Sequence, residues 1–307
     1  MKTVITGATG LIGRSLVRST GQPTVLSRDP ERARSVLGSG PEILRWAPDK
    51  ELPPSEAFEQ ADTIFHLAGE SIGDRRWTGK KRVQIRESRV AGTRNLVTAL
   101  AGLNHKPQVL VSASAVGCYG DQGDRELTET APIAETYLAR VCADWESEAL
   151  KAADLGIRVV GARMGIVLSR SGGALGRMLP AFRLGVGGPL GHGRQWMPWI
   201  HIEDAIGLLL HGANTRSITG PVNVVGPNPE TNREFTRQLA ASLHRPAWVP
   251  IPRILLRLLF GELSQVLVES QRAVPSVAQS TGYQFQYSEL SAALEAVLKP
   301  GGQDRNH

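Results

Sequence analysis

A glycine-spaced segment follows directly on the first apolar run of the chain. Residues 4 and 5 are Val and Ile, and residues 6–13 read Thr-Gly-Ala-Thr-Gly-Leu-Ile-Gly. Gly7 permits a tight turn, Gly10 lets a pyrophosphate approach the backbone, and Gly13 lets a helix pack closely on the preceding strand. The pattern predicts a strand, a phosphate-binding turn and a helix whose free N–H groups and positive dipole end favour an anion.

We expect this turn to open the dinucleotide-binding unit, with nothing ahead of it. An apolar run at 23–26 supplies the next strand of a β-α-β unit. The turn residues expected to contact the dinucleotide are Gly7, Thr9, Gly10, Leu11, Ile12 and Gly13.

Short apolar runs alternate with helical patterns through the first half of the chain. The predicted strands are 2–6, 23–26, 42–46, 63–67, 109–112 and 158–162, with a seventh at 222–225. The predicted helices among them are 11–19, 80–101 and 133–153. Such alternation is typical of a parallel sheet covered by helices on both faces. Because crossovers are right-handed, we predict an α/β fold of the Rossmann type with a doubly wound parallel sheet.

The alternation stops after residue 162. Residues 172–193 include eight glycines and two prolines, which predicts no regular element there. Helices are predicted at 203–213 and 231–243, the second opened by a Thr231–Glu234 capping box. The predicted domains are a nucleotide-binding Rossmann domain at 1–170 plus about 221–227, a smaller mixed C-terminal substrate lobe at 171–220 and 228–300, and a disordered tail at 301–307.

The composition is that of a soluble globular protein. Of its 307 residues, 41% are hydrophobic and 21% charged, and no apolar run approaches the ~20 residues that span a bilayer. The longest such run, 254–260, is split by Arg257 and predicts a buried helix. The N-terminus lacks a signal-peptide pattern, and two cysteines fit a reducing compartment. We therefore expect a cytoplasmic protein without a membrane partner.

The net charge of +6 favours anionic partners. The densest basic run, at 75–89, contains Trp77 as its only aromatic residue, so it predicts a solvated helix face and no nucleic-acid binding. The seven histidines show no metal-ligand spacing, so no metal site is expected.

The end of the second predicted strand indicates which dinucleotide binds. An acid there would bind the ribose hydroxyls of NAD, but this chain has Ser27 followed by Arg28. Arginine presents a planar fork to a 2′-phosphate, which favours NADP over NAD. Asp29 is the alternative ribose acid, although Pro30 after it favours a helix cap.

Several segments carry a family resemblance. Residues 6–13, 66–69, 89–93 and 111–116 resemble the extended short-chain dehydrogenase/reductases, which include nucleotide-sugar epimerases and dehydratases. The segments 187–191, 199–205 and 281–285 resemble an atypical "epimerase family protein" subgroup. The resemblance runs from residue 1 to about 298, and it implies NADP binding. Small residues after the fourth strand would accommodate the cofactor's adenosine half, and the resemblance favours a cofactor contact for the arginine of 89–93. The cofactor contacts expected here are Leu67, Ala68, Gly69 and Arg89.

The chemistry of that superfamily needs a tyrosine and a lysine four residues later. The lysine lowers the tyrosine pKa so that the phenolate can move a proton. The four tyrosines are followed four residues later by Gly123, Val141, Tyr287 and Ser291, so no Tyr-x-x-x-Lys pair exists. The first catalytic candidates are Ser114, with Ser112 as the alternative serine, and Tyr137. The other side chains that could replace the lost acid–base pair are Tyr119, Glu70, Glu129, Asp124 and His201.

The substrate pocket is expected between the sheet edge and residues 172–204. Aromatic residues in loops rich in glycine and proline often form lids or ligand platforms. The alternative is that both tryptophans of this region pack inside the lobe. The predicted pocket residues are Glu70, Trp196, Trp199 and His201.

Two functions remain open at this point. The first is an NADP-dependent oxidoreductase or epimerase-like enzyme that acts on a small polar substrate, as a monomer or homodimer. The second is an NADP(H)-binding sensor or regulatory module that has lost catalysis along with the Tyr–Lys pair.

Overall fold

A computed structural model describes residues 2–73 and 76–299. Its strands are β1 Thr3–Thr6, β2 Thr24–Ser27, β3 Glu42–Arg45, β4 Thr63–His66, β5 Val109–Ala115, β6 Glu126–Leu127, β7 Arg158–Met164, β8 Ile166–Leu168, β9 Trp196–Met197, β10 Trp199–His201, β11 Gly220–Val224, β12 Glu230–Thr231 and β13 Arg272–Ala273. Its α-helices are α1 Leu11–Ser19, α2 Pro30–Leu37, α3 Gly79–Ala101, α4 Tyr137–Leu150, α5 Gly173–Arg183, α6 Ile202–Asn214, α7 Asn232–Ser242, α8 Arg253–Phe260, α9 Leu263–Val266, α10 Ser276–Ser280 and α11 Leu290–Leu298. The predicted tail at 301–307 and Arg75 of the basic run lie outside the described residues.

Seven parallel strands form the central sheet, in the order β3-β2-β1-β4-β5-β7-β11. All seven predicted strands are present, so the predicted Rossmann-type fold is confirmed. The strand order reverses between β1 and β4, and ligands of such sheets bind beyond the carboxyl ends of the strands at that switch point. The predicted glycine turn follows β1 and therefore lies at this position.

Successive residues of each strand point to opposite sides of the sheet, and helices cover both sides. Ile5 and Phe65 pack with residues of α1 and α6 in one cluster. Val4 and Ile64 pack with residues of α3 in another. Helix α6 belongs to the predicted substrate lobe, but it packs against the sheet. The predicted division into domains remains a prediction.

The prediction that 172–193 forms no regular element is wrong, because α5 spans eleven of these residues. The helix buries Leu175, Leu179 and Phe182, which recur at helical spacing on one side. This apolar face outweighs the cost of an internal proline, Pro180, and of glycines near the helix start.

The apolar run at 254–260 forms a helix as predicted, but the prediction that it is buried is wrong. Only Leu256 of α8 is buried, while Ile254 is 76% exposed. The helix lies on the outside of the C-terminal part and packs on one side only. Across the described residues, the helices are all too short or too polar to cross a membrane.

Asp204 on α6 holds the C-terminal segment in place. Its carboxylate is completely buried and accepts hydrogen bonds from the backbone N–H groups of Gln286 and Tyr287, at 2.8 and 2.9 Å. The phenol of Tyr283 donates a further bond at 3.2 Å. A buried carboxylate satisfied in this way ties α6 to the segment before α11.

Candidate cofactor site and catalytic region

The turn between β1 and α1 depends on close backbone packing. Gly7 has a φ of +70°, and a Cβ there would lie 2.6 Å from the carbonyl carbon of Leu67. A Cβ on Gly13 would lie 2.3 Å from the carbonyl oxygen of Gly7. These distances are too short for any side chain, so only glycine fits at positions 7 and 13. The backbone N–H of Gly10 closes the turn by donating to the Gly7 carbonyl at 3.0 Å.

Gly10 is subject to a weaker constraint from the protein itself. Its φ is −74°, and a Cβ there would meet only the Gly7 carbonyl oxygen, at 3.2 Å. Gly10 is also the N-cap of α1, and among the described residues no side chain caps this helix. The first N–H groups of α1, from Leu11, Ile12 and Gly13, are thus available to an anion. Thr9 lies in the same turn, so the predicted turn residues surround one helix end.

The end of β2 lies beside that turn, because β2 pairs with β1 in parallel. The side chain of Arg28 is 67% exposed, and its Nη2 lies 3.9 Å from Oε2 of Glu70. Asp29 caps α2 by accepting the backbone N–H of Arg32 at 3.0 Å. The cap occupies the Asp29 carboxylate, whereas the Arg28 guanidinium is exposed and pairs with Glu70. The Ser27 hydroxyl bonds locally to the backbone of Asp29.

A buried histidine supports the end of β4. Oγ1 of Thr6 lies 2.8 Å from Nδ1 of His66 and accepts the backbone N–H of Ala68 at 3.1 Å. Nε2 of His66 lies 3.0 Å from Oγ1 of Thr93 on α3. Complete burial lowers the pKa of His66 to about 4, so the ring is neutral at pH 7. The histidine thereby fixes the backbone of Leu67 and Ala68 against the glycine turn.

Glu70 and Arg89 lie together just beyond β4. Glu70 accepts a hydrogen bond from Nζ of Lys81 at 2.7 Å. Nη1 of Arg89 donates to the carbonyl of Glu70 at 3.0 Å, and its guanidinium carbon lies 5.1 Å from the centre of the Trp145 ring. Burial lowers the pKa of Arg89. A Cβ on Gly69 would lie 3.2 Å from that guanidinium carbon, so Arg89 packs directly against the bare backbone of Gly69.

The predicted catalytic serine belongs to a buried ionic network. Ser114 on β5 pairs in register with Arg163 on β7. The Ser114 hydroxyl donates to Oε1 of Glu146 on α4 at 2.5 Å. Arg163 binds the same carboxylate through Nε at 2.9 Å and Nη2 at 2.8 Å. Burial alone would lower the pKa of Arg163, but its bonds to Glu146 raise it, so the guanidinium stays charged.

The predicted catalytic tyrosine is engaged elsewhere. The phenol of Tyr137 donates to the backbone carbonyl of Arg82 on α3 at 2.6 Å. The Arg82 guanidinium carbon lies 4.3 Å from the Tyr137 ring centre, and Trp77 packs edge-on against that ring. Partial burial raises the pKa of Tyr137. The structure thus brings Ser114 together with Glu146 and Arg163, while Tyr137 contacts α3.

Two further ionisable groups in this region, Cys142 and Tyr119, have raised pKa values. Burial raises the pKa of Cys142, on α4, to about 11. Burial also raises the pKa of Tyr119 to about 12; its phenol donates to Oδ1 of Asn223 at 2.7 Å. Both groups stay protonated near pH 7, so they can donate hydrogen bonds but are poor bases.

The predicted pocket residues separate into two environments. Trp199 is 0% exposed and donates through Nε1 to the carbonyl of Asn228, which favours the packing alternative for this tryptophan. His201 is buried, caps α6 through Nδ1, and stacks on Tyr287 with ring centres 3.8 Å apart. Burial lowers its pKa to about 4. Trp196 is partly exposed and donates to Oδ1 of Asp124 at 2.8 Å.

Sequence reasoning missed the role of Arg163 and Lys81. The predicted strand ended at residue 162, one position before Arg163, and Lys81 was interpreted as part of a solvated helix face. Lys81 is instead buried and paired with Glu70. For Arg163, the available signal was a charged residue directly after the uncharged stretch Val-Val-Gly-Ala at 159–162. For Lys81 the sequence held no local signal, because its partner Glu70 lies eleven residues away in a loop.

The fold and the site together define a class of protein. A parallel sheet in this order, with an uncapped helix end and a glycine turn at the switch point, is the arrangement of Rossmann-type dinucleotide-binding proteins. The serine at the end of β5 and the helix α4 beside it correspond to the extended short-chain dehydrogenase/reductase pattern that the sequence resembles.

Comparisons with known proteins identify the family. A model described as "NAD dependent epimerase/dehydratase family" matches residues 3–226, and a domain of unknown function, DUF1731, matches residues 251–297. The chain belongs to the NAD dependent epimerase/dehydratase family and, within it, to the epimerase family proteins similar to SDR39U1. The predicted resemblance is therefore confirmed.

Three relatives illustrate the similarity. The crystal structure of human epimerase family protein SDR39U1 (isoform 2) with NADPH has a TM-score of 0.85 and 33% identity, covering 97% of this chain and 99% of that one. Epimerase family protein Mb2239 of Mycobacterium bovis is 38% identical over 301 residues, 97% of this chain and 98% of the relative. The chloroplastic SDR39U1 homolog of Arabidopsis thaliana is 36% identical over 310 residues, 97% of this chain and 87% of the relative.

Proposed function

We propose that this chain binds NADP(H) and uses it as an oxidoreductase or epimerase-like enzyme on a small polar substrate in the cytoplasm. The observation that carries the proposal is the uncapped N-terminus of α1 beside Ser27 and Arg28, where an NAD-binding protein would have an acid. The human relative solved with NADPH supports the choice of NADP.

The residues at the switch point fit such a cofactor. The first N–H groups of α1 would hold the diphosphate, and the space in front of Gly10 is one that a Cβ would narrow. Arg28 would bind the 2′-phosphate. Leu67 to Gly69 would lie along the adenosine half, with Arg89 behind them. When bound, a nicotinamide cofactor gives or takes a hydride.

The acid–base groups favour proton donation over proton removal. Tyr119 and Cys142 keep their protons near pH 7, and Ser114 already donates to Glu146. Of these groups, the Ser114 hydroxyl would stabilise a substrate oxygen if it turned from Glu146 to donate to that oxygen. A carbonyl reduced with a proton from water therefore fits this region better than a reaction that needs a strong base. The lobe at 171–220 and 228–300 would supply the substrate side, with Trp196 and Glu70 at its edge.

Loss of NADPH absorbance with a panel of small carbonyl compounds and nucleotide sugars tests the enzymatic proposal. We expect slow turnover with at least one carbonyl compound, and reduced turnover for Ser114→Ala. No turnover across the panel, despite tight NADPH binding, would contradict it.

A non-catalytic sensor is the second candidate. It is favoured by the engagement of both predicted catalytic hydroxyls, Tyr137 with the Arg82 carbonyl and Ser114 with Glu146, together with the missing Tyr-x-x-x-Lys pair. A sensor predicts a partner protein whose affinity depends on NADP(H). Affinity capture with and without saturating NADPH distinguishes the two candidates, because an enzyme alone requires no such partner.

A further inference from the structure

Lys81 is a buried cation in the first turn of α3. It is 8% exposed, whereas Lys80 directly before it is exposed. Nζ of Lys81 donates to Oε1 of Glu70 at 2.7 Å. Taking an ammonium group out of water is costly, and a carboxylate partner offsets only part of that cost. An apolar side chain would fill the same position more cheaply, so the fold alone does not account for a lysine there.

The partner of Lys81 is held in place by the same helix. The hydroxyl of Ser88 accepts the backbone N–H of Glu70 at 3.0 Å. Nη1 of Arg89 donates to the backbone carbonyl of Glu70, also at 3.0 Å. With Lys81 on the carboxylate, α3 binds the backbone and the side chain of Glu70 together. The position of this carboxylate is therefore fixed relative to α3.

The second oxygen of the same carboxylate faces the end of β2. Oε2 of Glu70 lies 3.9 Å from Nη2 of Arg28, which is an ion pair without a close hydrogen bond. Glu70 thus lies between a buried cation and an exposed one. We call Arg28, Glu70 and Lys81 the charge triad; it has two positive charges and one negative charge.

The balance of charge in the triad controls how a phosphate would approach Arg28. At pH 7 a phosphate monoester has a charge of about −1.5 to −2. Arg28 and Glu70 alone would be neutral together, and the carboxylate would repel such a phosphate. The charge of Lys81 offsets the carboxylate, so the triad stays positive. NADH lacks the 2′-phosphate, so the same balance has little effect on its binding.

We propose that Lys81 determines the preference for NADP(H) over NAD(H), because it offsets the charge of Glu70 beside the arginine that receives the 2′-phosphate. Lys81 acts through Glu70 and needs no contact with the cofactor. Glu70 in turn restrains the exposed Arg28 side chain near the cleft, which reduces the entropy lost when the phosphate binds. The inference rests on the proposed binding of NADP(H) and adds the residues that set its specificity.

Calorimetric titration with NADPH and with NADH at physiological salt tests the inference. Lys81→Met keeps the length of the side chain and removes its charge. We expect it to weaken NADPH about tenfold and to change NADH by less than about twofold. Lys81→Met combined with Glu70→Gln removes the carboxylate charge as well and should restore most of the NADPH affinity. Lys80→Met is the matched control, since it removes the same charge from the exposed neighbour; it should leave both affinities unchanged.

Three results would overturn the inference. The first is an unchanged ratio of NADPH to NADH affinity in Lys81→Met. The second is a parallel loss of both nucleotides in that variant, which would show that the lysine only supports the structure of the site. The third is a double variant that circular dichroism shows to be folded and that binds NADPH at least about tenfold more weakly than wild type. This third result applies even if Lys81→Met alone does not fold.

Failure of the proposed function has a different signature. A wild-type protein that binds NADH as tightly as NADPH would contradict the assigned cofactor, and the inference with it. A wild-type preference for NADPH that survives in Lys81→Met would overturn the inference alone.

Discussion

The α-carbon of Gly13 packs against the carbonyl oxygen of Gly7 so closely that a Cβ would lie 2.3 Å from that oxygen. The helix α1 and the turn before it are therefore locked together by two backbones in direct contact. Gly10, between them, has no such conflict, since a Cβ there would lie 3.2 Å from its nearest neighbour, the Gly7 carbonyl oxygen. The three glycines of the turn thus have different physical reasons to be glycine.

This difference predicts that one alanine substitution mainly lowers stability and the other mainly weakens cofactor binding. Gly13→Ala should lower the free energy of unfolding by about 3 kcal/mol, because the added methyl forces two backbones apart. Gly10→Ala should cost about 1 kcal/mol, as for alanine at an N-cap, and yet weaken NADPH binding at least about tenfold. Urea denaturation and fluorescence titration measure the two quantities. Equal NADPH affinity of Gly10→Ala and wild type would count against the cofactor site.

The network around Ser114 predicts a second contrast. Glu146→Gln leaves the buried charge of Arg163 unbalanced and should lower the free energy of unfolding by about 3 to 5 kcal/mol. Ser114→Ala removes one hydrogen bond and keeps the ion pair, so about 1 kcal/mol is expected. Chemical denaturation of both variants at pH 7 tests this, and similar losses would show that the ion pair does not stabilise the fold.

The turn was predictable because its residues are consecutive, whereas the network was not. Gly7 to Gly13 and the apolar runs carry their structure in local order, so the sheet and the cofactor turn followed from spacing alone. Ser114 and Arg163 are neighbours because β5 and β7 pair in that register, and Glu146 on α4 binds both. Such contacts depend on how the strands and helices come together. The exposure of α8 was missed for the same reason, since an apolar run does not indicate how many of its sides are covered.

His66 predicts a loss of stability in acid. Burial lowers its pKa in the folded state to about 4, against 6.5 for the free side chain. The unfolded chain therefore takes up the proton first, so stability is complete above pH 6.5, falls between pH 6.5 and 4, and levels off below. The difference corresponds to about 3 kcal/mol. Urea unfolding from pH 7.5 to 4.5 should show a steeper loss for wild type than for His66→Gln. Identical slopes would contradict this assignment.

Tyr137 is predicted to support α3 and not to move a proton. Tyr137→Phe removes its bond to the Arg82 carbonyl and should cost about 1 kcal/mol of stability. Turnover of any substrate found should change less than about threefold, whereas removal of a general acid or base costs about 10² to 10⁴. Steady-state kinetics with a fixed NADPH concentration distinguish the two roles.

Calorimetric titration of the wild-type protein with NADPH and with NADH tests the assigned cofactor most directly. We expect NADPH to bind at least about tenfold more tightly, and Arg28→Ala to remove that preference by weakening NADPH alone, since a charged hydrogen bond contributes about 1.5 to 3 kcal/mol. Tighter binding of NADH, or no heat with either nucleotide, would contradict the assignment of the turn and of Arg28.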